Sequence, residues 1–299
     1  MMQQMRGAAL VITVWLIALA SVLAFNYSQV IRSDSKITAA ALAKQKAHAA
    51  AEAGIWRAIY ELDAPHPTNP WPTDGTRTAF EFNGAEIVVI AQDLSGLVDL
   101  NAAPRKTLST IIDYIADDPL RAAQIVDAIL DWRDRDHTVR EFGAEDVDYL
   151  AAGLDYGAKD GPFNTREELE LVLGLTSDEY KNIAPFVTVF SQKSQVNLRV
   201  APAHVRNAMI ESKTVGAEAS SFRRATDPTP ARRSSVRRRR ATYEIFVEAN
   251  VNGVLSRLVA TVEIGQARQS GPKVTILSWR ETWHFAVPTK DIDEYPPAG

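Results

Sequence analysis

The sequence predicts an α+β protein: a long N-terminal helix packed on an antiparallel sheet, with a large α-helical domain inserted into that sheet. Three observations predict it. Helical periodicity runs from Ala8 to about Leu62, interrupted only by a polar patch at Asn26 to Ser35. Strand-like runs around Asn-Gly pairs lie on both sides of a stretch, Pro104 to about Tyr180, whose apolar spacing is helical. The 299 residues are 46% hydrophobic and 23% charged, which are globular values, so most of the chain should bury a core.

The long helix begins in a short basic stretch, MMQQMRG, followed by eighteen residues without a charge, Ala8 to Phe25. At 1.5 Å per helical residue these cover about 27 Å, close to the hydrocarbon thickness of a bilayer. We therefore expect 8–25 to be a transmembrane segment within a helix spanning 8–62. A discarded secretion signal has no reason to continue into ITAAALAKQKAHAAAEAGIWRAIYEL, Ile37 to Leu62, whose alanine-rich, amphipathic pattern suits packing on a sheet. Four prolines in APHPTNPWP then forbid further helix.

In AFEFNGAEIVVIAQD, Asn83-Gly84 is a type I′ turn signal between two strands, so 63–103 should form the first part of the sheet. Residues 104–182 read as the inserted helical domain. It contains TLSTIIDYIA, AAQIVDAILDWRD and TREELELVLG, the last with Thr165 as an expected N-cap. Residues 183–299 should complete the sheet through PFVTVFSQ, the hairpin around Asn252-Gly253 and KVTILSWRETW. Within that part we expect a helical segment near 200–212 and a disordered loop over 213–240. Eight arginines stand against one aspartate between Ser221 and Arg240, in a chain whose net charge is -4. Only Phe222 and Tyr243 flank this run, so a solvated loop is favoured over a surface that stacks single-stranded bases. A weak repeat relates LVDLNAAP, Leu97 to Pro104, to QVNLRVAP, Gln195 to Pro202, and reads as a recurring β-to-α connection.

No catalytic constellation is present, and enzyme activity is not expected. The absence of cysteine excludes disulfides, thiolate metal sites and thiol catalysis. The five histidines have no metal-ligand spacing, and no nucleophile elbow or phosphate-cradling glycine loop occurs. The chemical signal is acidic. Asp131, Asp134 and Asp136 fall where a helix should end, against the helix dipole, and Glu145 and Asp146 follow a short loop. Such carboxylates either bind a hard cation, Ca²⁺ being the natural choice, or form ion pairs with Arg133, Arg135 and Arg140. Trp132, Phe142 and Tyr149 read as core of the insertion, and Trp279 and Trp283 as packing residues.

Taken together, several segments resemble one family. The N-terminus is similar to a type IV prepilin-like leader, with Gly7 as the last leader residue. Four further stretches resemble general secretion pathway protein K, the large minor pseudopilin of type II secretion: SGLVDLNAAP, IVDAILDWRDRD with GAEDVDYL, GPFNTREELELVLGLTSDEY with PFVTV, and ILSWRE. The resemblance implies a 1–7 leader peptide removed between Gly7 and Ala8 by prepilin peptidase, with N-methylation of Ala8. It also implies a pseudopilin-type sheet, a single inner-membrane span and a periplasmic C-terminal domain. Most pilin-like subunits carry a glutamate at the fifth mature position, where this chain has Ile12. A bilayer carboxylate needs a partner, so a subunit without one needs no predecessor and suits the tip of a filament. Partners implied are minor pseudopilins of I and J type, other pseudopilus subunits and inner-membrane lipid. The family's calcium sites fall on the acidic stretch that holds Asp131, Asp134, Asp136, Glu145 and Asp146.

The rival reading is a membrane-anchored DNA-binding or uptake protein, because LNAAPRKTL followed by REELELVLGL resembles a helix-hairpin-helix. Only Gly174 stands where that motif needs two glycines, which argues against nucleic acid as a partner. A third reading, a periplasmic protein with an uncleaved anchor, differs in its mature N-terminus.

Overall fold

The structure, a computed structural model, describes residues 2–64, 69–116, 118–211, 240–265 and 273–282, with the side chains of all of these except 2–11, 26 and 28–37. One helix, α1 (Met2–Asp63), runs through the leader and the amphipathic stretch as 62 continuous residues, roughly 93 Å of rod. Among the described residues no helix is long and apolar enough to cross a membrane. The side chains of 8–11, the start of the expected span, lie outside them.

The main sheet has five antiparallel strands in the order β1 (Asp74–Phe82), β2 (Ala85–Asp93), β5 (Ala241–Val251), β6 (Val254–Ile264) and β7 (Val274–Glu281). Its two tight hairpins sit on the Asn-Gly pairs. Asn83 and Gly84 have φ of 50° and 75°, and Asn252 and Gly253 have 52° and 83°. A type I′ turn demands this double left-handed geometry, and its twist matches that of the flanking strands. Between β2 and β5, neighbours in the sheet, the chain leaves to build a second unit.

Alternation on the strands sends Ile87, Val89 and Ala91 of β2 to the same face as Ile245, Val247 and Ala249 of β5 and Leu258, Ala260 and Val262 of β6. The other wall of this core is Ala47, Ala50, Ala51, Ile55, Ala58, Ile59 and Leu62 of α1. Small residues dominate because the helix lies close to the sheet. A Cβ on Gly54 would stand 2.6 Å from Val247 Cγ1 and 3.0 Å from Ile87 Cγ2. Glycine disfavours a helix interior by about 1 kcal/mol, and here it permits the approach that buries the apolar face.

The second unit has its own core, built from residues between Leu94 and Ala208. Its helices are α2 (Arg105–Ile115), α3 (Pro119–Arg133), α4 (Asp146–Ala151), α5 (Ser177–Ile183) and α6 (Ala203–Glu211). Tyr149, Leu100, Leu108, Ile111, Ile112, Ile129, Leu169 and Ile183 are its largest fully buried side chains. Trp132 packs its ring 5.8 Å from Tyr149 and 6.2 Å from Phe163.

The unit therefore extends beyond the expected 104–182. The run PFVTVFSQ contributes only β4 (Val187–Thr188), which pairs in parallel with β3 (Val98–Asp99) and takes no place in the main sheet. The segment near 200–212 forms α6, whose Val205 and Ala208 belong to the helical core. TREELELVLG forms a short 3₁₀ helix, Arg166–Leu171, and Thr165 makes no side-chain cap. Its entrance is tied by Glu168 instead, which accepts from Asn164 N at 3.1 Å. The capping box lies later, at Thr176 and Glu179 ahead of α5. The expected disordered loop 213–240 lies outside the described residues except for Arg240, and so does Trp283.

The repeated segments meet at the neck of the unit. Asp99 Oδ1 accepts from the N–H groups of Asn101 and Ala102 at 2.8 and 2.9 Å, and Asn197 Oδ1 accepts from Arg199 N at 3.3 Å. In each copy a side chain satisfies the backbone two residues on and turns the chain toward a helix, after β3 in the first copy and after an irregular segment in the second. Gly96 lies against the second copy, where a Cβ would stand 2.5 Å from Val200 O. Asp99 Oδ2 also accepts from Ser191 Oγ and Gln192 N, at 3.1 and 2.7 Å. One buried carboxylate with four donors thereby joins the chain entering the unit to the chain leaving it.

The unit covers the other face of the sheet, over Ile90, Phe246 and Val259. Arg166 binds Glu244 of β5 through two bonds of 3.2 and 2.9 Å, and Arg280 of β7 binds Glu167 at 3.0 Å. Both members of the Arg166–Glu244 pair are largely buried, so removing one side leaves an uncompensated charge.

The close approach at Gly54 yields a prediction. Gly54→Val should destabilise the head by about 2 kcal/mol through overpacking, despite removal of a helix glycine. Denaturant unfolding of wild type and variant measures this.

Candidate functional site

Two features are left with unsatisfied chemistry. The first is the outer surface of α1. Ile12, Val14, Trp15, Leu16, Ile17, Leu19, Val22, Leu23 and Phe25 are each more than half exposed in the isolated chain, Trp15 at 73%. An apolar surface of this extent marks a partner or a lipid phase. Ile12 lies on it with 59% exposure and brings no charge. The backbone of Gly7 and Ala8 is helical within α1, and their side chains lie outside the described residues.

The second feature is the end of α3 and the loop after it. Asp131 is fully buried and receives the Arg140 guanidinium, with a further bond from Arg140 N at 3.1 Å. A Cβ on Gly143 would overlap Asp131 Oδ2, so glycine there is what lets the loop close over this carboxylate. Arg140 also contacts Asp134 at 2.6 Å. That contact lacks hydrogen-bond geometry, and both Asp134 oxygens remain buried without a hydrogen-bond partner. Arg133, one of the other candidate counter-ions, is committed to the carbonyls of Leu100 and Ala103.

Glu145, 5% exposed, is held at the start of α4 where its N–H donates to Asp148 Oδ2 at 2.9 Å. Neither of its carboxylate oxygens has a hydrogen-bond partner. Burial first, then the charges of Asp131, Asp160 and Asp134, push its carboxyl up to about 7, against an opposing effect of His137. Asp160 also leaves a buried oxygen, Oδ1, without a partner. His137 Nδ1 lies 3.6 Å from Asp160 Oδ2. Among the described residues, one ligand atom each from His137, Glu145 and Asp160 come within 4.8 Å of one another.

The five acidic residues singled out in the sequence thus separate. Asp134 and Glu145 bring orphaned oxygens to the cluster, and Asp131 adjoins it through Arg140. Asp136 is exposed and accepts from Thr138 N at 2.9 Å, and bonds from Thr138 hold its carboxyl below the usual range. Asp146 is exposed on α4, its carboxylate against Gly157, where a Cβ would overlap Oδ1. Sequence reasoning missed His137 and Asp160. The trace of Asp160 was its place in the turn Lys159-Asp160-Gly161, where it adopts φ of 52°.

Orphaned, buried carboxylate oxygens have a high desolvation cost that a cation removes. Their hardness and number fit Ca²⁺. The helix-hairpin-helix reading finds no such support, because the second of its two helices is the short 3₁₀ turn.

Residues 88–192 match the family model described as type II secretion system (T2SS), protein K. Type II secretion system protein K of Klebsiella pneumoniae is 27% identical over 220 residues, covering 66% of this chain and 67% of the relative. Its counterpart in Pectobacterium carotovorum subsp. carotovorum is 26% identical, covering 62% and 63%. That of Pseudomonas aeruginosa is 29% identical over 139 residues, covering 43% and 41%. In the last two the chain spans less than two thirds of the relative's length. A solved structure described as the GspK-GspI-GspJ complex from the enterotoxigenic Escherichia coli type 2 secretion system matches with a TM-score of 0.54 and 17% identity. It covers 84% of this chain and 98% of the solved one, and it establishes a shared fold.

Glu145 sets a pH dependence for the metal-free protein. Its folded value of about 7 lies above the ordinary 4.5, so the folded state binds more protons between those values. Its contribution to stability is complete below about 4.5 and is lost as pH rises through about 7. Unfolding midpoints in chelator should fall across that window, and Glu145→Gln should flatten the fall.

Proposed function

We infer that this chain is a member of the type II secretion system protein K family and a minor pseudopilin of that system. From that premise we propose that it acts by assembly, without catalysis, at the tip of a short pseudopilus that supports export of folded proteins across the outer membrane. The observation that carries the reading is α1. Its first half exposes an apolar surface and its second half is buried on the sheet, which suits a helix that both anchors the subunit and carries the head.

In this reading 8–25 spans the inner membrane and the head lies in the periplasm. Prepilin peptidase cuts between Gly7 and Ala8, and Ala8 is then methylated. The segment afterwards leaves lipid to pack against the equivalent helices of neighbouring subunits. Ile12 supports the tip position, because an uncharged residue there requires no amine from a preceding subunit in the bilayer. The resemblance to a solved complex named for I- and J-type proteins supports their counterparts as partners. The insertion, carried on the sheet face opposite α1, gives the head its bulk, which suits a subunit that terminates a stack.

We further propose that the acidic cluster holds Ca²⁺ through Asp134, Glu145 and Asp160, with Asp131 and Arg140 setting the local charge. The ion supplies partners for the buried carboxylate oxygens that have no hydrogen bond, and it ties the end of α3 to the loops before α4 and after it. Asp136 and Asp146 remain on the exposed rim.

Two outcomes test this. Intact-mass analysis of protein purified from membranes should give a mature chain beginning at Ala8. A chain beginning at Met1 would overturn the processing step. Deleting the gene should leave exported proteins in the periplasm, and restoring it should clear them. For the metal, Ca²⁺ at about a hundred times its Kd should stabilise the protein by about 2.7 kcal/mol in thermal unfolding, and Glu145→Gln should abolish most of that gain.

A further inference from the structure

We propose that His137 is a ligand in the acidic cluster, which makes this a mixed imidazole–carboxylate site able to take a first-row divalent transition ion. This rests on the metal reading above and adds to it a ligand and an ion class.

The geometry supplies the first argument. His137, Glu145 and Asp160 converge from three separate segments, the loop after α3, the start of α4 and the loop after α4. One donor atom from each falls within 4.8 Å of the others, a spread that a single ion at ordinary ligand distances can span. The second argument is independent of the first. Glu145 is 95% buried by its 5% exposure, yet neither of its oxygens has a hydrogen-bond partner. A buried carboxyl in that condition is neutralised by a proton or a cation, and the convergent donors give a cation its place.

The donor set then decides the class of ion. Ca²⁺ takes oxygen ligands almost without exception, so a site built only for calcium gains nothing from an imidazole. Nitrogen donors favour first-row divalent ions over Ca²⁺, with affinity rising from Mn²⁺ to Cu²⁺ and falling at Zn²⁺. The imidazole is largely exposed, with its side chain 71% accessible, while the carboxylates lie beneath it. An ion entering from solvent meets His137 at the outer side of the site and the buried oxygens at the inner side. Removing the imidazole therefore leaves the oxygen cage intact. Arg140 remains bound to Asp131 and Asp134, so the local positive charge is the same in both cases.

The test uses the tag-free full chain in detergent, with Mn²⁺ alone as a paramagnetic probe and Ca²⁺ alone as control. Bound Mn²⁺ should show nitrogen coupling in pulsed electron paramagnetic resonance. His137→Ala should abolish that coupling and weaken Mn²⁺ binding about tenfold or more, while Ca²⁺ binding changes less than about threefold. His137→Gln should behave as the alanine variant does, which separates loss of the nitrogen donor from loss of bulk. Mn²⁺ bound without nitrogen coupling overturns the proposal and leaves the calcium reading standing. Equal weakening of Mn²⁺ and Ca²⁺ overturns it in favour of a general packing role for His137. Failure of the wild-type chain to bind either ion overturns both readings together.

Discussion

The distance between α1 and the sheet is the constraint on which the rest of the fold depends. Alanine at 47, 50, 51 and 58 and glycine at 54 let the helix lie against Ile87 and Val247 with side chains filling the space on both sides. A helix held this close hides the middle three strands over much of their length. It leaves the sheet one free face, and that face accepts the second unit. Had α1 carried leucines at these positions it would stand farther off, and the strand residues that line the core would be the wrong size for the gap.

The second unit is fixed in two ways that differ physically. At its neck, Asp99 gathers four donors from the incoming and outgoing chain, and such a buried anion holds its surroundings firmly because each donor would cost energy if left unpaired. Across its broad contact with the sheet, the Arg166–Glu244 pair sets the orientation. The acidic cluster lies at the end of α3, where Arg133 reaches the turn beside Asp99 and where Gly143 and Gly157 leave room for Asp131 and Asp146.

Much of the frame was legible in the sequence because it rests on local rules. Asn-Gly pairs force left-handed turns, prolines stop helices, and period-two alternation selects a sheet face, so the two hairpins and α1 could be read directly. The elements misread were those decided by distant contacts. PFVTV has strand composition, yet it forms two residues of parallel ladder because its partner is Val98–Asp99, some ninety positions earlier. TREELELVLG has helical spacing, yet Arg166 is drawn to Glu244 and the segment tightens to a 3₁₀ turn. The acidic cluster was half legible. Asp134 and Glu145 belong to a conspicuous run of acids, whereas His137 and Asp160 are brought in by the folding of two loops and leave no fixed spacing to recognise.

The arrangement of two cores on opposite faces of one sheet also has a mechanical meaning. A pull or push directed along α1 enters the head as shear against β2, β5 and β6, the strands it touches, and is resisted by a continuous hydrogen-bonded ladder. The helical unit meets those strands at its neck, over Ile90, Phe246 and Val259, and through ion pairs such as Arg166–Glu244 on the far face. The unit is carried on the face opposite α1, so the acidic cluster lies outside the layer that takes this shear directly.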